Sequence, residues 1–102
     1  MKFRILDEAR AEANEAAAWY ESQMPGLGEE FLDALAKATK TMLADPERFA
    51  RLETSASEKN LRRYLLPRFP YVVVYELKDG EGVIVAIAHA TRRPGYWNDR
   101  LR

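Results

Sequence analysis

Apolar residues in the first half of the chain recur every three or four positions, the spacing of helices that bury one face. Residues 7–24 carry one such stripe, which is built mostly from small side chains. Residues 28–30 open a second segment, whose stripe has larger side chains. The first stripe consists of Ala9, Ala13, Ala16, Tyr20 and Met24, and the second of Leu27, Phe31, Leu35, Ala38 and Met42. Pro25 and Gly26 interrupt the pattern between them. Two helices joined by so short a turn pack as antiparallel neighbours, so the pattern predicts a helical hairpin.

The second half of the chain follows a different period. Residues 61–66, 71–77 and 83–88 are short runs rich in Val, Ile, Leu and Tyr, which are typical of strands. Residues 78–82 hold an Asp-Gly pair between the last two runs, a strong signal for a β-hairpin. Residues 3–6 are readable as a strand that opens the chain. The element order β-α-α-β-β-β predicts an α+β fold whose last three strands form an antiparallel meander.

The middle strand of that meander is apolar on both faces. Val72 and Val74 point to one side, and their neighbours along the strand, which are also apolar, point to the other. The strand is therefore predicted to be central, with the helices on one side and another element covering part of the other side. Residues 50–60 are rich in Ser, Glu, Thr and Lys and predict an exposed loop.

Length and composition indicate a single compact domain over residues 1–102, with 47% hydrophobic and 31% charged residues. No apolar run approaches the roughly 20 residues that a transmembrane helix needs. The charged N-terminal segment argues against a secretory signal. The chain has no cysteine, which excludes disulfides and cysteine nucleophiles and fits a reducing compartment. We therefore expect a cytoplasmic protein that has no membrane partner.

The net charge is zero, but the charges are unevenly distributed. Residues 1–50 hold 6 Lys and Arg against 10 Asp and Glu, whereas residues 51–102 hold 10 against 6. A basic half can attract phosphate or an acidic partner. Solvated charged faces on each helix would explain the same distribution, so charge alone leaves both interpretations open.

The densest candidate chemistry lies in residues 89–97 (HATRRPGYW), which contain the only histidine, two arginines and two aromatic residues. A metal-free ribonuclease needs a base, an acid and cations for the phosphorane charge, and arginine forks grip phosphates. The residues that could supply these parts are His89, Arg92, Arg93 and Tyr96. The structural alternative is that the histidine is a satisfied packing residue and that Tyr96 and Trp97 tuck the C-terminal segment under the sheet.

Other arginines and aromatic residues extend the candidate set. Arg62 and Arg63 are neighbours on one predicted strand, so their side chains should face opposite sides of the sheet. Arg68 lies in a turn flanked by prolines. Trp19 and Tyr20 lie on the first predicted helix, where packing against the core is the simpler explanation.

The sequence lacks the residues that several other kinds of functional site require. One histidine without cysteine does not make a protein-only zinc site. The serines lack the Gly-x-Ser-x-Gly turn of hydrolases, and no glycine-rich loop could cradle a nucleotide. The acidic residues of the helices show no pairing in a cleft. We therefore expect no cofactor and no metal.

Five segments along the chain together carry a recognisable pattern. They are residues 15–21 (EAAAWYE), 25–31 (PGLGEEF), 45–49 (DPERF), 68–75 (RFPYVVVY) and 88–97 (AHATRRPGYW). In this order they resemble the RelE/ParE toxin superfamily over almost the whole chain. The resemblance implies a small toxin encoded beside an antitoxin in a type II toxin–antitoxin (plasmid-stabilisation) module. It also implies a helical hairpin packed on a twisted antiparallel sheet.

The superfamily divides by activity. RelE-like members cleave mRNA in the ribosome with basic sheet residues and a C-terminal tyrosine, whereas ParE-like members poison DNA gyrase and are not known as nucleases. The long hairpin containing Trp19 and Tyr20 resembles the ParE branch, and a ribosome binder would be expected to carry more positive charge. We therefore predict a ParE-like, non-enzymatic gyrase inhibitor. The alternatives are a metal-free, ribosome-dependent endoribonuclease that uses the four catalytic candidates above, and a degenerate toxin that only binds its antitoxin.

The resemblance further implies a cognate antitoxin that lays an extended or helical segment across the sheet and the helix grooves. The residues expected to bind the target or the antitoxin are Trp19, Tyr20, Arg62, Arg63, Arg68, Arg92, Arg93 and Trp97. Acidic groups of the antitoxin should meet the arginine pairs on the sheet and in the C-terminal segment. Both a homodimer and a toxin–antitoxin heterotetramer are compatible with this assignment.

Overall fold

The computed structural model describes residues 2–52 and 59–101, and the regular elements in them follow the predicted order. They are strand β1 (Lys2–Ile5), helix α1 (Asp7–Gln23), helix α2 (Leu27–Ala44) and strands β2 (Leu61–Leu65), β3 (Tyr71–Lys78) and β4 (Glu81–His89). A short 3₁₀ turn, Asn98–Arg100, follows near the C-terminus. Most of the predicted loop 50–60 lies outside the described residues. At its start, Arg51 forms an isolated antiparallel bridge with Arg62 of β2.

The turn between the two helices is held by one glutamate. The carboxylate of Glu21 accepts hydrogen bonds from the backbone N–H of Gly26 at 2.9 Å and of Gly28 at 3.0 Å. Gly26 has a φ of 90°, which favours glycine. A Cβ at Gly28 would lie 2.5 Å from the carbonyl oxygen of Ala17, so glycine lets α2 begin directly against α1. These local contacts explain why the short break produces the predicted antiparallel hairpin.

The strand order in the sheet is β1-β4-β3-β2. Strands β2, β3 and β4 form the predicted antiparallel meander, and its Asp79-Gly80 turn has positive φ at both residues, as a tight hairpin of this type requires. Strand β1 joins the far edge parallel to β4, so the sheet is mixed rather than wholly antiparallel. The direction of β1 is not encoded by hydrophobic period, because the helical hairpin separates it from the meander and permits either direction.

The two faces of the sheet carry separate cores. The face covered by the helices buries Phe31 and Met42 of α2 against Val73 and Tyr75 of β3, with the small alanines of α1 packed between. We call this the helix face. The opposite face, called here the open face, is smaller, and its buried members are Leu61, Val74, Val85, Ala86 and Trp97. The prediction that the middle strand needs cover on both sides is confirmed.

A β-bulge lies at the centre of the sheet. Val74 pairs with Ala86 and Tyr75 pairs with Ile84, so β4 has one extra residue, Val85, between two consecutive residues of β3. Val85 and Ala86 consequently both belong to the open-face core, although they are adjacent in sequence.

Candidate binding site

The last described segment of the chain covers the open face. After β4, residues 90–101 turn back across the sheet, and the side chain of Trp97 is only 5% exposed. The indole packs with Leu61, Val74 and Val85 in the open-face core. Trp97 therefore anchors the C-terminal segment under the sheet, which is the packing role given above as the alternative to a functional one.

A single carboxylate on α1 holds that segment in place. Glu12 Oε1 accepts hydrogen bonds from Arg100 Nη1 at 2.9 Å and from the backbone N–H of Ile87 at 3.0 Å. Glu12 Oε2 accepts the hydroxyl hydrogen of Tyr96 and a second bond from Arg100 Nη2 at 3.1 Å. The guanidinium of Arg92 lies 3.7 Å from the same oxygen and 3.8 Å from the centre of the Tyr96 ring. We call these five residues the Glu12 cluster.

The Glu12 cluster also completes the edge of β4. Strand β1 ends at Ile5, opposite Ile84, and no other described strand pairs with the remainder of that edge. The N–H of Ile87 is taken by Glu12, and the carbonyl of Val85 accepts a bond from Arg100 Nη1 at 3.0 Å. Two side chains thus satisfy buried backbone groups that a longer β1 would otherwise have paired.

The protonation of this cluster follows from its contacts. Burial alone would raise the pKa of Glu12, but the hydrogen bonds from Arg100, Tyr96 and the Ile87 N–H, with the charge of Arg100, outweigh it and lower the pKa below 4.5. Burial and the hydrogen bond that its hydroxyl donates to Glu12 both raise the pKa of Tyr96. Tyr96 is thus a neutral donor that is already engaged within the protein.

A cavity of about 120 Å³ lies between the open face and the C-terminal segment. Apolar side chains line it, among them Val72, Val74, Ala88, Leu52 and Trp97. Three exposed guanidinium groups line it as well, those of Arg63, Arg92 and Arg93. We call it the arginine-rimmed cavity. It brings together residues from β2, β3, β4 and the C-terminal segment that are far apart in sequence.

His89 also lines the cavity, at the end of β4. Its Nδ1 accepts a hydrogen bond from the backbone N–H of Thr91 at 3.1 Å and lies 2.7 Å from the hydroxyl of that threonine. Its ring contacts the edge of Tyr71 at 5.2 Å between ring centres. The histidine therefore has local structural partners, while it remains beside the arginines that sequence reasoning grouped with it.

Other predicted site residues lie elsewhere. Arg62 faces away from the cavity, because its guanidinium donates to the carbonyls of Glu47 and Phe49, the latter at 2.9 Å. Arg68 forms an ion pair with Glu30 of α2 at 2.7 Å. The prediction that neighbouring arginines on β2 face opposite sides is confirmed, and it separates Arg62 from the arginine-rimmed cavity.

The two aromatic residues of α1 also take different positions. The ring of Tyr20 belongs to the aromatic cluster of the helix face, where it contacts Phe31, Phe69 and Tyr71 at 5.0–6.2 Å between ring centres. Trp19 is 58% exposed and lines a groove beside the C-terminal segment. Trp19 is thus accessible to a partner and Tyr20 is mainly a core residue.

Sequence reasoning missed Glu12. The expectation that no helix acid is paired in a cleft is wrong, since Glu12 is bound by Arg100, Tyr96 and Ile87. One signal was present in the sequence: Glu12 lies three positions after Ala9 and four before Ala16, at the margin of the buried stripe of α1. An acid at that position faces the sheet and needs a partner there.

Neither described helix is long and apolar enough to cross a membrane. Within residues 2–52 and 59–101, no three His, Asp or Glu side chains are grouped so as to hold a metal ion.

A helical hairpin on one face of a four-stranded mixed sheet is also the fold of a solved toxin–antitoxin protein. The structure titled chromosomal ParDE TA system from P. aeruginosa superposes with a TM-score of 0.74, covering 87% of this chain and 95% of that chain at 17% identity. The comparison with curated proteins found no match. Residues 3–94 match the family described as ParE toxin of type II toxin-antitoxin system, parDE. The chain therefore belongs to the ParE toxin family, which confirms the resemblance found in the sequence.

Proposed function

We propose that this ParE-family toxin stops bacterial growth by inhibiting DNA gyrase in the cytoplasm, and that a cognate antitoxin neutralises it by binding. The family match is the basis for this assignment, because ParE-like members act on gyrase whereas RelE-like members cleave mRNA. The action is binding rather than catalysis.

The contacts that Glu12 makes with Tyr96 and Arg92 favour gyrase inhibition over RNA cleavage. A ribosome-dependent nuclease would need these groups free to face a phosphate and to transfer protons. In the Glu12 cluster the Tyr96 hydroxyl donates its hydrogen to a carboxylate, and the guanidinium of Arg92 lies over the tyrosine ring. A carboxylate beside the catalytic candidates would also repel the phosphate. This arrangement supports a binding protein over a nuclease.

The cellular test is to induce the chain alone in a bacterial host, with and without the neighbouring reading frame. Growth, the SOS response and new mRNA 5′ ends are scored together. We expect arrest with SOS induction and intact mRNA, and recovery when the neighbouring frame is co-expressed. Arrest with new mRNA ends and without SOS would replace the proposal by the nuclease. Absence of arrest in a host whose gyrase binds the purified protein would point to a degenerate toxin.

A single-atom variant sharpens that test. Tyr96→Phe removes the hydroxyl and keeps the ring beneath Arg92, so gyrase inhibition should persist, whereas a nuclease that uses the hydroxyl should lose its activity. The direct measurement is the amount of gyrase–DNA cleavage complex trapped by purified protein. Purified antitoxin added first should abolish the trapping.

A further inference from the structure

The arginine-rimmed cavity has the charge of a site for an anionic partner. Among the described residues that line it, there is no Asp or Glu. Within residues 2–52 and 59–101, the guanidinium groups of Arg63 and Arg93 have no carboxylate within ion-pair distance, while Arg92 already shares Glu12. The charges of Arg63 and Arg93 at one small opening raise the local positive potential and favour a ligand that brings carboxylates or phosphates.

The size of the cavity limits the part of a ligand that it can enclose. Sites for nucleotide-sized molecules commonly enclose ~300–1,000 Å³. The cavity here has a volume of about 120 Å³, close to that of a cavity of about 150 Å³ that holds a benzene ring. It therefore fits one side chain of the size of leucine or phenylalanine and is too small to enclose a base with its sugar and phosphate.

The lining of the cavity agrees with an apolar anchor. Val72, Val74 and Ala88 present only hydrocarbon to the interior, and Trp97 adds the buried face of its indole. An apolar side chain inserted there would be removed from water, and acidic residues beside it in the ligand would lie near Arg63 and Arg93. Such a combination of a buried anchor and a charged margin is typical of peptide recognition.

We propose that the arginine-rimmed cavity receives one apolar side chain from an acidic segment of the antitoxin, with neighbouring carboxylates paired to Arg63 and Arg93. The inference rests on the proposed function in one respect, namely that an antitoxin neutralises this toxin by binding. The sequence-based expectation included Arg62 among the arginines that meet the antitoxin. The guanidinium of Arg62 donates to backbone carbonyls instead and takes no part.

The test measures the affinity of purified antitoxin, the product of the neighbouring reading frame, for the full-length toxin and three cavity variants. Arg63→Glu and Arg93→Glu reverse charge at the margin, and Ala88→Leu fills the interior without changing charge. Arg10→Glu is the matched control, because Arg10 is an exposed arginine on α1 away from the cavity. Thermal unfolding of each variant shows that it is folded.

We expect each cavity variant to lose about tenfold or more in affinity, the loss typical of an interface anchor. The charge variants should also weaken the dependence of affinity on salt, whereas Ala88→Leu should leave that dependence unchanged. Wild-type affinity in a folded Ala88→Leu variant would overturn the anchor. An equal loss in Arg63→Glu and Arg10→Glu would show that only overall charge matters and would overturn the pairing.

Gyrase trapping by the same variants separates this inference from the proposed function. Loss of antitoxin affinity in the cavity variants supports the inference even if wild-type toxin fails to trap gyrase, which would refute only the proposed target. Loss of gyrase trapping with unchanged antitoxin affinity would assign the cavity to gyrase and overturn the inference. Failure of the wild-type toxin to bind the antitoxin would refute neutralisation and the inference together.

Discussion

The two faces of the sheet are covered by different physical means. On the helix face, two long helices bury a continuous apolar core that includes Phe31, Met42 and Tyr75, all essentially inaccessible to water. On the open face, a short segment provides the cover, and it is held by Trp97 and by the Glu12 cluster. Apolar packing is non-directional and distributed, whereas the second arrangement depends on a few directed hydrogen bonds.

This difference shows where a partner can bind. The helix face also has a gap, of about 360 Å³, but Glu30 and Asp33 line it together with Lys37 and Arg68. The open face instead leaves an apolar cavity with arginines around it. A small domain has too little chain to cover both faces of a sheet completely. Incomplete cover on one face provides the protein with its candidate interface.

The largest expected effect comes from the helix face. Phe31→Ala should lower the free energy of unfolding by about 3–5 kcal/mol, because it removes a fully buried ring that contacts Tyr20, Phe69 and Tyr71. Urea unfolding at pH 7 measures the loss. Leu32→Ala, an exposed position on the same helix, is the control and should change stability little. Similar losses in both would contradict the assignment of the core.

A smaller effect is expected at the edge of β4, where Glu12 holds the segment that covers the open face. Glu12→Gln should lower the free energy of unfolding by about 2 kcal/mol, since charged hydrogen bonds to Arg100 and Tyr96 are lost or weakened. Amide hydrogen exchange should show faster exchange at Ile87, whose N–H is bonded to Glu12. Glu15→Gln, an exposed acid on the same helix, supplies the control. Unchanged protection at Ile87 would argue against the role of the cluster.

The same carboxylate should make the open face sensitive to acid. The pKa of Glu12 is lower in the folded protein than its ordinary value of 4.5, so the ionised form stabilises the fold above that pH. This contribution is lost as the pH falls through about 4.5 towards the folded pKa. We expect the stability difference between wild type and Glu12→Gln to shrink between pH 6 and pH 3, measured by urea unfolding. A difference that does not change with pH would exclude this ionisation as the cause.

The smallest effects distinguish the adjacent arginines of β2. Arg62→Ala should cost about 1 kcal/mol in unfolding free energy, because it removes bonds to the carbonyls of Glu47 and Phe49. Arg63→Ala should remain within about 0.5 kcal/mol of wild type, as is usual for an exposed side chain. Thermal unfolding of the two variants, measured side by side, gives the comparison. The opposite order would mean that the roles assigned to the two faces are interchanged.

Much of the architecture follows from local pattern. The stripes on α1 and α2, the Pro25-Gly26 break and the Asp79-Gly80 turn are each read from neighbouring residues, and each element lies where they predict it. The opposite orientation of Arg62 and Arg63 follows from strand geometry in the same way. The parallel direction of β1 does not, because no short-range signal relates β1 to β4, about eighty residues later.

The amino-acid sequence by itself determined the element order, the apolar faces and the membership of the RelE/ParE superfamily, since periodicity and motif spacing are properties of adjacent residues. Only the tertiary structure decided which charged groups meet. Glu12 and Arg100 are 88 positions apart, and they pair because α1 and the C-terminal segment both cross the uncovered edge of β4. A buried charge must be paired because it has lost its contact with water, and that loss occurs only after the chain has folded around the pair. The arginine-rimmed cavity arises in the same way, from the part of the sheet that the short C-terminal segment leaves uncovered.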